Sequence, residues 1–355
     1  MATIATEVCT QGNRWQRDRY AHMARLNKKA GIKEHGRSRN GTAYRHLLVE
    51  KDALHNFLND EETLRAVKAR FDHHKAGDRE RVLTNTVASQ PCCFNLFAPL
   101  WRDRQLTDDL FSKLLNEPLH VEHLEIEFTP NVWKGTPGFE RLGDESLGDQ
   151  SARAGTDADV AVFYTTETGK RGVVLTEFKY IEAEFSTCGS YHSKSKGPAI
   201  RAGCDAPDWY AQRVAPYTGG TPAKPDCGYL KYRNWSLLQQ SKVLDAKAVR
   251  TQPGCPFKGS LNQLWRNLLL AEQVAKVRKL DAFHFWVLSP EQNTALWKER
   301  AGHVHERFQE LLTPLGQQAY RRLELDRDVV KLLEGMDLQP EQQEWLGRFR
   351  ARYLS

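Results

Sequence analysis

Asp159-Val160-Ala161-Val162-Phe163-Tyr164-Thr165 and, a short turn later, Val173-Val174-Leu175-Thr176-Glu177-Phe178-Lys179-Tyr180 decide how this chain is read. Both runs are β-branched and aromatic, and Glu167-Thr168-Gly169-Lys170 between them has the composition of a hairpin turn. Alternate side chains of a strand share a face, so Glu177 and Lys179 point with Leu175, whereas Val174, Thr176, Phe178 and Tyr180 point the other way. Both faces read as buried, and charges left there are costly unless paired or bound to metal. Hairpin pairing brings Asp159 beside Glu177. Two adjacent carboxylates either share a proton or hold a divalent cation. The plainer reading is an ion pair of Lys179 with Glu177 or Asp159 that only supports the sheet. The order of the surrounding elements weighs against it.

Outward from the hairpin, 120–128 alternates as a strand, with Glu127 near its end, and 82–101 is an apolar helix that Pro91 kinks or starts. The stretch 107–115 reads as a short helix capped by Thr107. Downstream, Leu261, Leu264, Trp265, Leu268, Ala271 and Ala275 form the stripe of a helix over 261–277, flanked by Gln263. A strand follows at 281–288, and Ser289-Pro290-Glu291 carries the signals of another helix start. Short helices are expected at 20–26, 43–57 and 61–71. The tail is expected to be helical, with Trp345, Phe349 and Tyr353 on one side. The fold class is therefore α/β: a mixed central sheet with helical additions at both ends. Three regions are expected: a basic helical extension (1–80), a core (81–300) with an irregular Cys/Tyr-rich insertion (181–256), and a C-terminal extension (301–355) packed on the core. The Gly- and acid-rich 135–155 reads as a long loop.

Composition excludes several classes. Apolar residues make up 40% and charged residues 27%, an ordinary globular balance rather than a disordered one. No run approaches the roughly 18 apolar residues of a membrane helix, and the first residues lack a secretory h-region, so no membrane association and a cytoplasmic location are expected. Net charge is +6, and residues 1–48 hold ten Lys/Arg against three acids, leaving the rest close to neutral. Such an arm either tracks phosphates or is simply solvated, and charge alone does not separate the two. No Walker A sequence, nucleophile elbow or Ser-His-Asp pattern stands out. His303-Val304-His305-Glu306 lacks the i,i+4 histidine pair of a helical zinc site, and His73-His74 forms no convincing ligand set.

Asp159, followed 18 positions later by Glu177-Phe178-Lys179, resembles the D…E-x-K signature of the PD-(D/E)XK nucleases, whose restriction-endonuclease-like core runs αβββαβ. The predicted order over 82–288 matches it. Ser89-Gln90, Asn95 and Gln263-Leu264-Trp265-Arg266-Asn267 are similar to a bacterial branch of that superfamily. Ala158 stands where the name-giving proline often does. The resemblance implies a Mg²⁺- or Mn²⁺-dependent phosphodiester hydrolase acting on nucleic acid, DNA more than RNA, in restriction, defence or repair. Asp159, Glu177 and the Phe178 carbonyl would ligate the metal, and Lys179 would orient or deprotonate the attacking water. Glu127 and Gln263 are further candidates for substrate or metal-water contact, each with an ordinary strand or boundary role as alternative; Asp157 reads as a loop acid. The competing classes are an inactive nucleic-acid-binding protein on the same fold and a metal-stapled interaction module.

That last class rests on Cys188, Cys204, Cys227 and Cys255, four thiols within the insertion that would hold Zn²⁺ or an iron–sulfur cluster, or else are buried free thiols. With seven cysteines in a chain of this type a disulfide framework is not expected, and Cys92-Cys93 reads as core packing. Residues 181–259 also hold eleven Lys/Arg against six acids, interleaved with Tyr191, Trp209, Tyr210, Tyr217, Tyr229, Tyr232 and Trp235. These aromatics either stack bases or pack the insertion.

Overall fold

A computed structural model describes residues 8–74, 78–128, 157–194, 197–215, 234–299 and 302–355. The loop expected at 135–155, together with Cys227, Tyr217, Tyr229, Tyr232 and the side chains of His73 and His74, lies outside the described residues.

The labelled elements are α1 (Arg14–Lys29), α2 (Glu61–His74), α3 (Arg79–Thr84), α4 (Ser89–Arg102), α5 (Arg104–Leu115), β1 (Leu119–Phe128), β2 (Ala158–Thr166), β3 (Arg171–Phe178), α6 (Leu261–Arg278), β4 (Ala282–Ser289), β5 (Tyr320–Glu324) and α7 (Pro340–Tyr353). They build a five-stranded mixed sheet in sequential order, β1 to β5. β1, β2 and β3 run antiparallel, and β3, β4 and β5 run parallel. The core is thus the αβββαβ arrangement, with α4 leading in and α6 as the crossover between the parallel strands β3 and β4.

The hairpin forms as read. Gly169 takes φ +82°, a left-handed turn position that costs glycine little, and Thr166 N–H donates to the Lys170 carbonyl at 2.8 Å. Val160 then pairs with Thr176 and Val162 with Val174. Both sheet faces are covered, which is why the strands read as nearly continuous apolar runs. Val160, Val162, Val174 and Phe178 pack under Cys92, Phe94 and Leu96 of α4, whereas Ala161, Phe163, Val173 and Leu175 pack under Leu264, Trp265 and Leu268 of α6.

Several boundaries differ from the sequence reading. The helix expected over 82–101 is two helices, α3 and α4, and Pro91 falls in the first turn of α4, where proline needs no hydrogen-bond donor. α5 starts earlier than expected and is capped by Asp103 instead of Thr107, whose hydroxyl bonds back to the Asp103 carbonyl at 2.8 Å. Within 43–57 the chain forms only a 3₁₀ turn and Ala53–Asn56. Ser289-Pro290-Glu291 opens no helix. The Asn293 side chain there binds the carbonyls of Tyr180 and Glu182 at 3.1 and 2.8 Å, holding a loop against the end of β3. The tail supplies β5 as well as helices. α7 docks on the α4 side, where Tyr353 meets Tyr180 edge-on at 5.2 Å and Trp345 donates to the Asn95 carbonyl.

In the insertion, Trp209 and Trp235 are buried, and Trp235 and Phe257 lie 4.9 and 4.2 Å from the Trp265 ring of α6. These aromatics therefore pack the insertion onto the core.

One stability consequence arises at His284 on β4. It faces the Tyr164 hydroxyl at 3.2 Å, and burial, with Arg321 nearby, lowers its pKa to about 4. The folded state holds this imidazole neutral while the unfolded chain protonates it near 6.5, so the stabilisation is full above about 6.5 and lost as pH falls towards 4. Between pH 7 and 5 that loss is about 2 kcal/mol. His284→Gln is expected to flatten the fall in melting temperature over that interval. An unchanged pH dependence in the variant would refute the assignment.

Candidate active site

Where β3 leaves the sheet, its two charged residues emerge on the α6 side, as the two-residue period requires. Glu177 is 3% exposed and Lys179 8%. The Lys179 Nζ sits 2.7 Å from Glu177 Oε1, and its backbone N–H continues the ladder to the Leu288 carbonyl at 2.9 Å. Gln263 of α6 donates through Nε2 to Glu177 Oε1 at 2.7 Å while its Oε1 accepts from Ser186 N–H. One turn along, Asn267 donates to Glu177 Oε2 at 2.8 Å. Glu177 is held from three sides.

Asp159, on the neighbouring strand, accepts from the Phe178 backbone N–H at 2.6 Å, so its carboxylate is fixed between Glu177 and Lys179 along the chain. The Phe178 amide, not its carbonyl, makes this contact. Burial raises the Asp159 carboxyl well above its usual range, and the charges of Glu177 and Glu127 add to the rise. Burial alone would lower the Lys179 pKa, but Glu177 and Asp159 outweigh it and the ammonium is stabilised. Lys179 is thus a fixed cation at neutral pH.

Glu127 joins the cluster from β1. Its backbone is left-handed at φ +58°, a costly conformation for a non-glycine residue, and the Arg70 guanidinium bonds its carbonyl while pairing with buried Glu125 at 2.8 Å. Gln90, in the first turn of α4, donates to the Glu127 carboxylate at 3.1 Å. Burial, followed by the Asp157 charge, lifts Glu127 to about 7. Asp157, whose own surface stays open to solvent, is lifted to about 6 by the protein crowded around it and by Glu177, with Arg266 opposing.

All five residues read as catalytic from the sequence (Asp159, Glu177, Lys179, Gln263 and Glu127) are therefore neighbours. In the sequence, Gln90 and Asn267 stood out only within the family resemblance, with no role, and Arg70 was passed over. Asp157 is the exposed loop acid expected, standing close enough to Glu127 to raise its carboxyl. Asn267 was within reach, because it follows Gln263 by four residues on the same helical face.

Together the cluster gathers the acids Glu127, Asp157, Asp159 and Glu177 around one buried ammonium, a deficit of positive charge, and burial followed by their mutual repulsion raises the carboxyls of the first three. A divalent cation fits that deficit. Among the described residues, no three His, Cys, Asp or Glu side chains are gathered as a metal cage, and the Glu177 oxygens are engaged by Lys179, Gln263 and Asn267. Of the four cysteines of the insertion, Cys227 lies outside the described residues, and the other three form no such set. Cys255 N–H meets the Cys204 carbonyl at 2.7 Å, and the Cys255 side-chain contact, helped by Arg213, lowers the Cys204 thiol to about 7, but Cys188 does not complete a metal-binding group with them.

A family model for the PD-(D/E)XK nuclease superfamily matches residues 7–201 and 246–355. The chain belongs to that superfamily. The match spans both sheet edges and α7, and the gap from 202 to 245 falls inside the insertion, so the PD-(D/E)XK core is decorated there by chain of its own. Neither the comparison with curated proteins nor that with solved structures gave a match. Asp159 and Glu177-Phe178-Lys179 lie within the matched residues. Among the described residues of this PD-(D/E)XK protein, no helix is long and apolar enough to cross a membrane.

Proposed function

We propose that this PD-(D/E)XK protein is a divalent-cation-dependent nuclease that hydrolyses phosphodiester bonds in DNA. The observation that carries the reading is the convergence of Asp159, Glu177 and Lys179 on one face at the end of β3, inside 2.7 Å hydrogen bonding and under α6. Asp159 and Glu177 would hold Mg²⁺ or Mn²⁺, with the Phe178 carbonyl as a third oxygen donor. When bound, the cation supplies Lewis-acid polarisation of the phosphate. The rest is the work of the chain. Lys179, 2.7 Å from Glu177, would orient the attacking water and neutralise the charge that develops on the phosphate oxygens. Gln263 and Asn267 fix the Glu177 carboxylate so that it need not reorganise during reaction. Glu127, held by Gln90 and raised by burial, would accept a proton from water.

The test is cleavage of supercoiled and linear DNA in Mg²⁺ or Mn²⁺ against EDTA, with melting temperature followed in parallel. Metal-dependent cleavage and a metal-induced rise in melting temperature are expected. Cleavage that persists in EDTA would refute the cation requirement, and binding of DNA with no cleavage under any cation would favour a non-catalytic role.

A further inference from the structure

The exit of β3 is clasped by the basic N-terminal region. Trp15 Nε1 of α1 donates to the Tyr180 carbonyl at 3.3 Å, and Gln16 Nε2 to the Ile181 carbonyl at 3.0 Å. Two residues past Tyr180, the Glu182 carboxylate accepts from Tyr180 N–H at 2.9 Å and from Ser89 N–H at 3.3 Å, and pairs with Arg81 at 3.2 Å. Arg81 is also a wall of a cavity of about 890 Å³. Glu182 links this wall electrostatically to the site, since its charge also favours the Lys179 ammonium.

The lining of the cavity has two parts. One is aromatic: His46 is flanked by Tyr20 at 4.6 Å and Tyr44 at 5.4 Å between ring centres. The other is cationic, formed by Arg37, Arg39 and Arg81. The Arg37 guanidinium is steadied by the Gly41 carbonyl at 2.7 Å, and Arg39 has no partner among the described residues. The acids on the wall are Asp78 and Glu80. Asp78 is committed to the first turn of α3, where it caps the Arg81 N–H at 3.1 Å, and Arg81 is balanced by Glu182. With Arg81 set against Glu182, Arg37 and Arg39 are matched in number by Asp78 and Glu80, so the wall carries no net excess, and its positive charge is local to Arg37 and Arg39 beside the aromatic part. That suits one phosphodiester and one base, not a polyphosphate. The volume is within the roughly 300–1,000 Å³ of small-ligand sites.

We propose that this cavity is a nucleotide subsite of the DNA track: it receives a single nucleotide of the substrate strand away from the scissile bond, its phosphate on Arg37 and Arg39 and its base against Tyr44, whose ring is backed by buried His46. The proposal rests on the nuclease reading and extends it, giving the basic N-terminal region a defined role in place of general counterion release.

The test uses the full chain carrying Lys179→Ala, so that the strand is not cut, in Ca²⁺ with a fluorescein-labelled single-stranded 15-mer read by anisotropy. On that background Arg39→Ala and Tyr44→Ala are expected to weaken binding about 5- to 10-fold each. Arg39→Ala should also reduce the slope of log Kd against log salt by about 0.7, the loss of one phosphate contact on a single strand. Arg39 is exposed and Tyr44 half-buried, and circular dichroism checks that both variants fold. Folded variants that bind like their parent would overturn the subsite and leave the nuclease reading intact. A parent that binds no DNA, together with a wild-type protein that cuts none, would end both.

Discussion

Lys179→Ala is expected to lower DNA cleavage by about 10³-fold while leaving the secondary structure unchanged. The size follows from what the side chain is: a buried ammonium, 2.7 Å from Glu177, kept charged by two carboxylates in a pocket from which water is largely excluded. A cation preorganised in such a medium stabilises developing negative charge far more than one in water. The fold survives because Glu177 keeps the amide donors of Gln263 and Asn267. In metal-free buffer the variant should nevertheless melt earlier, since the acids lose a neighbouring cation, and added Mg²⁺ should narrow that gap. The discriminating measurement is single-turnover cleavage alongside calorimetry in EDTA and in Mg²⁺. Cleavage within a few-fold of wild type would show that Lys179 is only a structural partner of Glu177.

The parts of this centre that are local in sequence were legible there, and the tertiary parts were not. Strand periodicity was enough to put Glu177 and Lys179 on one face, because residues two apart on a strand always share one, and the glycine turn set their register against Asp159. The α6 stripe likewise pointed its flank at them. Arg70 and Gln90 could not be found this way. They reach Glu127 from α2 and α4 across the edge of the sheet, and no spacing rule links positions 70, 90 and 127. The left-handed φ of Glu127 was equally hidden, since its strand pattern continues through it. β5 was lost for a different reason. It is five residues long and follows the helix Pro314–Ala319 without a break, so the helical pattern ran over it. At 289–291 a strong local signal was overridden, because the Asn293 side chain has better partners at the end of β3 than a helix would give it.

Asp159→Asn is expected to move stability and activity in opposite directions. The folded state raises the Asp159 carboxyl above its ordinary value through burial and through Glu177 and Glu127. A raised acid is easier to bury protonated. The ionised side chain therefore costs stability once pH exceeds the unfolded value, and the cost is complete only above the folded one. Removing the charge relieves that cost, while an amide oxygen can still accept from the Phe178 N–H. In EDTA the variant should melt higher than wild type, by more at pH 8 than at pH 5. With Mg²⁺ or Mn²⁺ the order should invert: the wild type gains from the cation, the variant does not, and cleavage falls by about 10³-fold. A purely structural acid would lose stability on substitution and leave the cation response untouched. If melting curves show Asp159→Asn destabilised in EDTA and still responsive to Mg²⁺, Asp159 is no metal ligand, and the acidic pocket has to be explained by its hydrogen bonds alone.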